Sequence, residues 1–124
     1  MITLDLLRHG EPVGGRLYRG QRDDPLSEQG WQQMYAAIGE TRDWDRIISS
    51  PLKRCAAFAQ RIAQQLKLDL SYIAELTEIG FGVWEGMSVT QIQQQHADAL
   101  RLFWQDPVKN TPPQAETLAD FNTR

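Results

Sequence analysis

A single cysteine, Cys55, in 124 residues excludes an intramolecular disulfide framework and a cysteine-built zinc site. Long apolar runs are missing too. None reaches the roughly 18 residues of a membrane-spanning helix. The opening "MITLDLL" has neither the basic start nor the apolar stretch of a secretory leader. A soluble, cytoplasmic protein with no membrane association is therefore expected. Basic residues are in slight deficit, 13 against 16 acidic, for a net charge of -3. That balance argues against nucleic acid as a partner, though it leaves room for a small local basic pocket. Histidine is scarce, with only His9 and His96. No repeat or low-complexity tract stands out beyond the mildly biased "QIQQQ" at 91–95.

What is present suits one packed domain spanning residues 1–124, with 41% hydrophobic and 9% aromatic residues. Ile2 to Leu7 reads as a short buried strand. Arg8 to Leu26, rich in Gly, Arg and Asp, reads as a long loop, and loops of that length are often functional. Ser27 caps a helix whose Trp31, Met34, Tyr35 and Ile38 share one face. Arg46 to Ser50 is a second strand. Ser50 as N-cap and Pro51 at the first helical position then open a helix with Cys55, Phe58, Ala59, Ile62 and Leu66 inward. Leu68 to Ile73 is a third strand, and Glu75 to Gly86 a glycine-punctuated loop. Ser88 and Gln91 form a capping box for a third helix, with Val89, Ile92, Leu100 and Phe103 facing the core. His96 falls on the same stripe and is given a structural role. Prolines 107, 112 and 113 mark the next loop, and Glu116 to Arg124 turns helical. Alternating strands and helices predict a three-layer α/β/α domain with a mainly parallel sheet.

In such sheets ligands bind beyond the carboxyl ends of the strands. Arg8 and His9 stand at one such end and Ser49 to Arg54 at another. Neutral imidazole is a good nucleophile toward phosphorus. Phosphoryl transfer spreads charge over the equatorial oxygens, which bidentate arginine is suited to hold. Arg8, Arg54 and the helix start beside Arg54 would make a phosphate cradle. Each residue also has an ordinary reading: Arg8–His9 as surface, Arg54 as an exposed helix residue, Cys55 as core, Trp84–Gly86 as packing plus a solvated carboxylate. The glycines of 10–20 lack the spacing of a dinucleotide-binding turn and the Gly-Lys-Ser/Thr ending of a nucleoside-triphosphate loop.

Taken in order, "LLRHGE" (6–11), "YRGQRDDPLSEQG" (18–30), "SSPLKRC" (49–55) and "ELTEIGFGVWEG" (75–86) resemble the histidine phosphatase, or phosphoglycerate-mutase-like, superfamily. "PPQAETLADFNTR" (112–124) is similar to its proline-glycine-glutamate-serine segment. Arg-His-Gly alone arises by chance in about one per cent of chains this long, from ordinary residue frequencies. The ordered set does not. The resemblance implies a phosphohistidine formed on His9, phosphate held by Arg8 and Arg54, and Glu78 as proton donor to the leaving oxygen. It implies a substrate pocket that includes Arg8, His9, Gly14, Gly15, Gly20, Gln21, Arg54 and Glu78. It implies no metal and no cofactor, since arginines do the cation's work. A carboxylic acid in Glu78's role needs a raised pKa or a pocket that protonates it. The spacing before "GFGVWEG" looks most like the small phosphomonoesterases, α-ribazole phosphatase of the cobalamin pathway in particular. The expected substrate is a small phosphorylated metabolite.

Three positions depart from the family pattern. Gly15 stands where the family has asparagine, so backbone N–H groups of Gly14 and Gly15 would replace an amide. Gln114-Ala115 stands where the family has glycine. The family's second catalytic histidine, in a His-Gly motif on a later strand, has no counterpart before Arg124. The chain is therefore expected to be a C-terminally truncated form, with a sheet flank and helix faces uncovered and open to homo-oligomer formation. Three other readings stay open: a phosphoester-binding module without turnover, an inactive truncated homologue, and a phosphoglycerate mutase.

Overall fold

The computed structural model describes all of residues 1–124. The fold is α/β with a parallel sheet. The chain forms two compact units, one of residues 1–15 and 23–76, the other of 16–22 and 77–124.

In the first unit, α1 (Glu28–Ile38) begins where the Ser27 hydroxyl accepts from the Gly30 amide, and ends at Gly39, whose positive φ (52°) suits glycine. Strands β1 (Arg46–Ser49) and β2 (Asp69–Tyr72) run parallel, joined through α2 (Lys53–Leu66). Arg46 pairs with Asp69 and Ser49 with Tyr72. Helix α2 starts later than Ser50–Pro51 predicts. Leu52 is its N-cap, without a side-chain bond, and Asp23 from the preceding loop accepts the Lys53 amide at 2.7 Å. The cap is thus supplied from 30 residues away, which no local pattern reveals. Met34 and Ile38 of α1 pack against Phe58 and Ile62 of α2 and Ile47 of β1, with Tyr35 edge-on to Phe58 at 5.0 Å. Cys55 lies at the margin, half-buried.

The expected strand over Ile2–Leu7 does not form. The sheet has two strands, and no strand pairs with this run, whose Asp5 carboxylate instead accepts the Trp44 indole N–H at 2.7 Å. Ile2, Leu4 and Leu6 are 95%, 75% and 88% exposed. Apolar content signals a tendency to be buried, but a strand also needs a ladder partner and a covering layer. Ile48, whose alternation points it away from the Ile47 side, is 49% exposed. One face of the sheet is packed and the other is open.

In the second unit, Tyr18 makes an antiparallel bridge to Met87, with Tyr18 N–H donating to Met87 O and Gly86 N–H to Tyr18 O. Helix α3 (Val89–Gln105) carries the predicted Ser88–Gln91 capping box. Its Ile92 and Leu100 are fully buried with Trp84, and Tyr18, Phe81 and Phe103 close around them in edge-to-face contacts. Val89, expected inside, is largely exposed, as the first turn precedes the packed stretch. His96 leaves helical geometry (φ -141°) and marks a kink in α3. Helix α4 (Leu118–Thr123) is capped by Thr117. Gln114 holds a left-handed φ of 60°, where a Cβ costs about 1–2 kcal/mol. It is one of the two residues that stand where the family has glycine.

The two sheet faces set a test. Ile62→Ala, emptying the packed face, is expected to lose about 2–4 kcal/mol in urea unfolding. Ile48→Thr on the open face should change stability by less than about 0.5 kcal/mol.

Candidate active site

His9 lies where the exposed N-terminal run reaches α1. The Gly10–Glu11 backbone crosses the first turn of that helix so closely that a Cβ on Gly10 would overlap the Gly30 carbonyl. A Cβ on Gly30 would in turn overlap the Glu11 carbonyl. Three hydrogen bonds fasten the crossing. Ser27 N–H and Ser27 Oγ both donate to Glu11 O, at 2.9 and 2.8 Å, and Glu11 N–H donates to Gln33 Oε1 at 2.8 Å. His9 is therefore held from its C-terminal side by a helix, although no sheet ladder holds it from the other.

The imidazole Nδ1 lies 2.8 Å from the Gly10 carbonyl. A carbonyl oxygen only accepts, so Nδ1 is the donor and carries the proton. In the neutral imidazole the lone pair is then on Nε2, which is the tautomer a nucleophile needs. Arg8, one residue earlier, is exposed, and Arg54, second residue of α2, is buried with 2% exposure. Removal from water strengthens a guanidinium's pull on an anion. Gly14 and Gly15 turn the chain through positive φ, 95° and 75°, ahead of the return fixed by Val13 N–H on Pro25 O. Nothing crowds Gly15, so its glycine serves the backbone conformation rather than space.

In the second unit, three other predicted residues come together. Gln21 Nε2 donates to Glu78 O at 3.3 Å, and Gly20 packs so tightly on Glu85, Ile79 and Phe81 that a Cβ there would overlap them. Glu78 is exposed, and its Oε1 accepts the Ile79 amide at 2.9 Å. Sequence reasoning missed the residues that build this loop. Glu85 Oε1 accepts two amides, Gln21 and Phe81, each at 3.0 Å. Glu116 accepts the Gly80 amide and forms a two-point ion pair with Arg124. The Arg124 hydrogen bond holds the Glu116 carboxyl below the ordinary glutamate value. Gly30 was missed as well, though a glycine inside a helical pattern costs stability and so points to a packing reason. His96 stays at its kink, away from these loops in sequence and in element.

The profile described as "Histidine phosphatase superfamily (branch 1)" matches residues 4–124. Phosphoserine phosphatase 1 of Hydrogenobacter thermophilus is 34% identical over 130 aligned positions, covering 100% of this chain and 61% of that protein. Among solved structures, the α-ribazole phosphatase of Shigella flexneri superposes with a TM-score of 0.79 at 27% identity, over 94% of this chain and 60% of that one. A mycobacterial glucosyl-3-phosphoglycerate phosphatase, solved with inorganic phosphate, gives 0.76 at 28% identity over 93% and 55%. The chain spans a third to three fifths of the curated relatives' length, 34% of one in Mycobacterium tuberculosis and 61% of the Hydrogenobacter protein.

Two outcomes follow from this geometry. Gly→Ala inside a helix ordinarily gains about 1 kcal/mol. Gly30→Ala should instead lose about 1–3 kcal/mol, because the new methyl meets backbone that cannot rotate aside; urea unfolding gives the sign. The second concerns acid. Glu116's carboxyl sits below 4.5 when folded, so its ion pair stabilises fully above pH 4.5 and is lost as pH falls through the folded value. The stability gap between wild type and Glu116→Gln should therefore be widest above pH 4.5 and close in acid, as read by thermal melts across pH.

Proposed function

We propose a function from one premise: the chain belongs to the histidine phosphatase superfamily, branch 1. It hydrolyses small phosphomonoesters through a phosphohistidine. Nε2 of His9 attacks phosphorus and the P–O bond to the alcohol breaks. Glu78 gives its proton to the departing oxygen. Water then attacks the phosphohistidine, surrenders a proton to the Glu78 carboxylate, and releases inorganic phosphate with His9 restored. Arg8 and Arg54 neutralise the equatorial oxygens, which carry most of the charge in such a transition state. The observation that carries this reading is the Nδ1 contact to the Gly10 carbonyl, which puts the lone pair on the attacking nitrogen.

The α-ribazole phosphatase of Shigella flexneri is among the solved structures this chain superposes on, and this favours α-ribazole 5'-phosphate as the substrate. Phosphoserine and glucosyl-3-phosphoglycerate, the esters named for other relatives, are the alternatives to test beside it. A phosphoglycerate mutase reading draws on the probable mutase of Escherichia coli O1:K1, 28% identical over 128 positions.

The test is turnover of p-nitrophenyl phosphate, with alkaline trapping of the acid-labile phosphohistidine. His9→Ala should abolish the trapped species. Arg54→Ala should lower kcat/KM by about 100-fold or more, as for loss of a preorganised charge-stabilising donor. Phosphate binding by calorimetry without turnover would replace hydrolysis by the binding-module reading.

A further inference from the structure

We infer that Glu116 and Arg124 are positioning residues for Glu78, acting through the peptide that carries it. The inference rests on the reading of Glu78 as the acid. The stretch 77–81 belongs to no helix and no sheet, so no backbone ladder fixes it. Side chains do so instead. Arg124 Nη2 donates both to Glu78 O, at 3.2 Å, and to Glu116 Oε2, at 2.9 Å. Arg124 Nε donates to the other oxygen of Glu116. Glu116 Oε2 also accepts the Gly80 amide at 3.1 Å, and the Glu116 amide returns a bond to Gly80 O at 2.9 Å.

One guanidinium thus ties the carbonyl of Glu78 to the carboxylate that grips Gly80, two residues on. Gln21 Nε2 shares the same Glu78 carbonyl. The pair is well shielded for an ion pair, its side chains 25% and 16% exposed, and the guanidinium lies over the Phe121 ring at 4.9 Å. A fork on a carboxylate fixes direction as well as distance, which a flexible ammonium does not. The pair leaves the Glu78 carboxyl itself alone, since Oε1 is on the Ile79 amide. Its effect is on where that carboxyl starts from. A general acid must lie within hydrogen-bond reach of the leaving oxygen, and displacement of its peptide removes that reach without removing the proton.

Leaving-group dependence separates positioning from simple loss of structure. A misplaced acid harms esters of poor leaving groups and spares those of good ones. In the full chain, Glu116→Gln should lower kcat/KM on glycerol 2-phosphate by about 10- to 100-fold, part of what general acids contribute. It should change kcat/KM on 2,4-dinitrophenyl phosphate, which reads only the steps through phosphohistidine formation, by less than about threefold, in parallel with Glu78→Gln. Arg124→Lys, which keeps the charge and loses the fork, should fall between wild type and Glu116→Gln. Equal losses on both esters would reduce the pair to a structural role and overturn the inference. A second measurement needs no turnover. Amide exchange at Ile79 and Gly80, read by NMR, should quicken at least tenfold in Glu116→Gln while α3 amides keep their protection. Unchanged exchange there overturns the inference. If wild type cleaves neither ester, the phosphatase reading fails, and the exchange data alone decide whether this pair holds the Glu78 peptide.

Discussion

Gly10 and Gly30 bring two backbones into direct contact, and the placement of His9 depends on it. The N-terminal run has no sheet to lie in. What fixes its end is the first turn of α1, where the absence of two Cβ atoms lets peptide meet peptide. Ser27 makes this one junction rather than two separate features. Its hydroxyl accepts the Gly30 amide to start the helix and donates to Glu11 O to anchor the crossing backbone. The helix start and the position of His9 are set by the same side chain. The apolar face of α1 then meets α2, whose first turn carries Arg54.

The second unit solves a similar problem by other means. The loops that carry Gln21 and Glu78 have few backbone partners, and carboxylates take their place. Glu85 gathers two amides on one oxygen, and Glu116 gathers an amide and a guanidinium. A carboxylate has about four acceptor sites, so it can satisfy several donors that a turn leaves exposed. Both arrangements put a candidate site residue on irregular backbone and then remove that backbone's freedom.

Much of the local structure was legible in the residues. Ser27 and Ser88 both cap helices as their patterns predict, and the faces containing Met34, Ile38, Phe58, Ile62, Ile92 and Leu100 are buried. These features depend on neighbours within one or two turns. Ile2–Leu7, Pro51 and Val89 misled, because each belongs to a good local pattern whose partner is missing or elsewhere. The start of α2 is capped by Asp23, 30 positions earlier, and Glu116 meets Arg124 across an intervening helix. Neither pair has a spacing that any periodicity marks.

The sequence by itself determined the family, through the order of its motifs, and the helices with their caps, through chemistry acting within a few residues. The crossing at Gly30, the burial of Arg54 and the clasp on the Glu78 peptide were decided only by tertiary structure. Each depends on one atom finding another within about 3 Å across a gap in the chain, or on which atoms shut out water. Such distances are properties of the folded path, and residue order constrains them only through the fold.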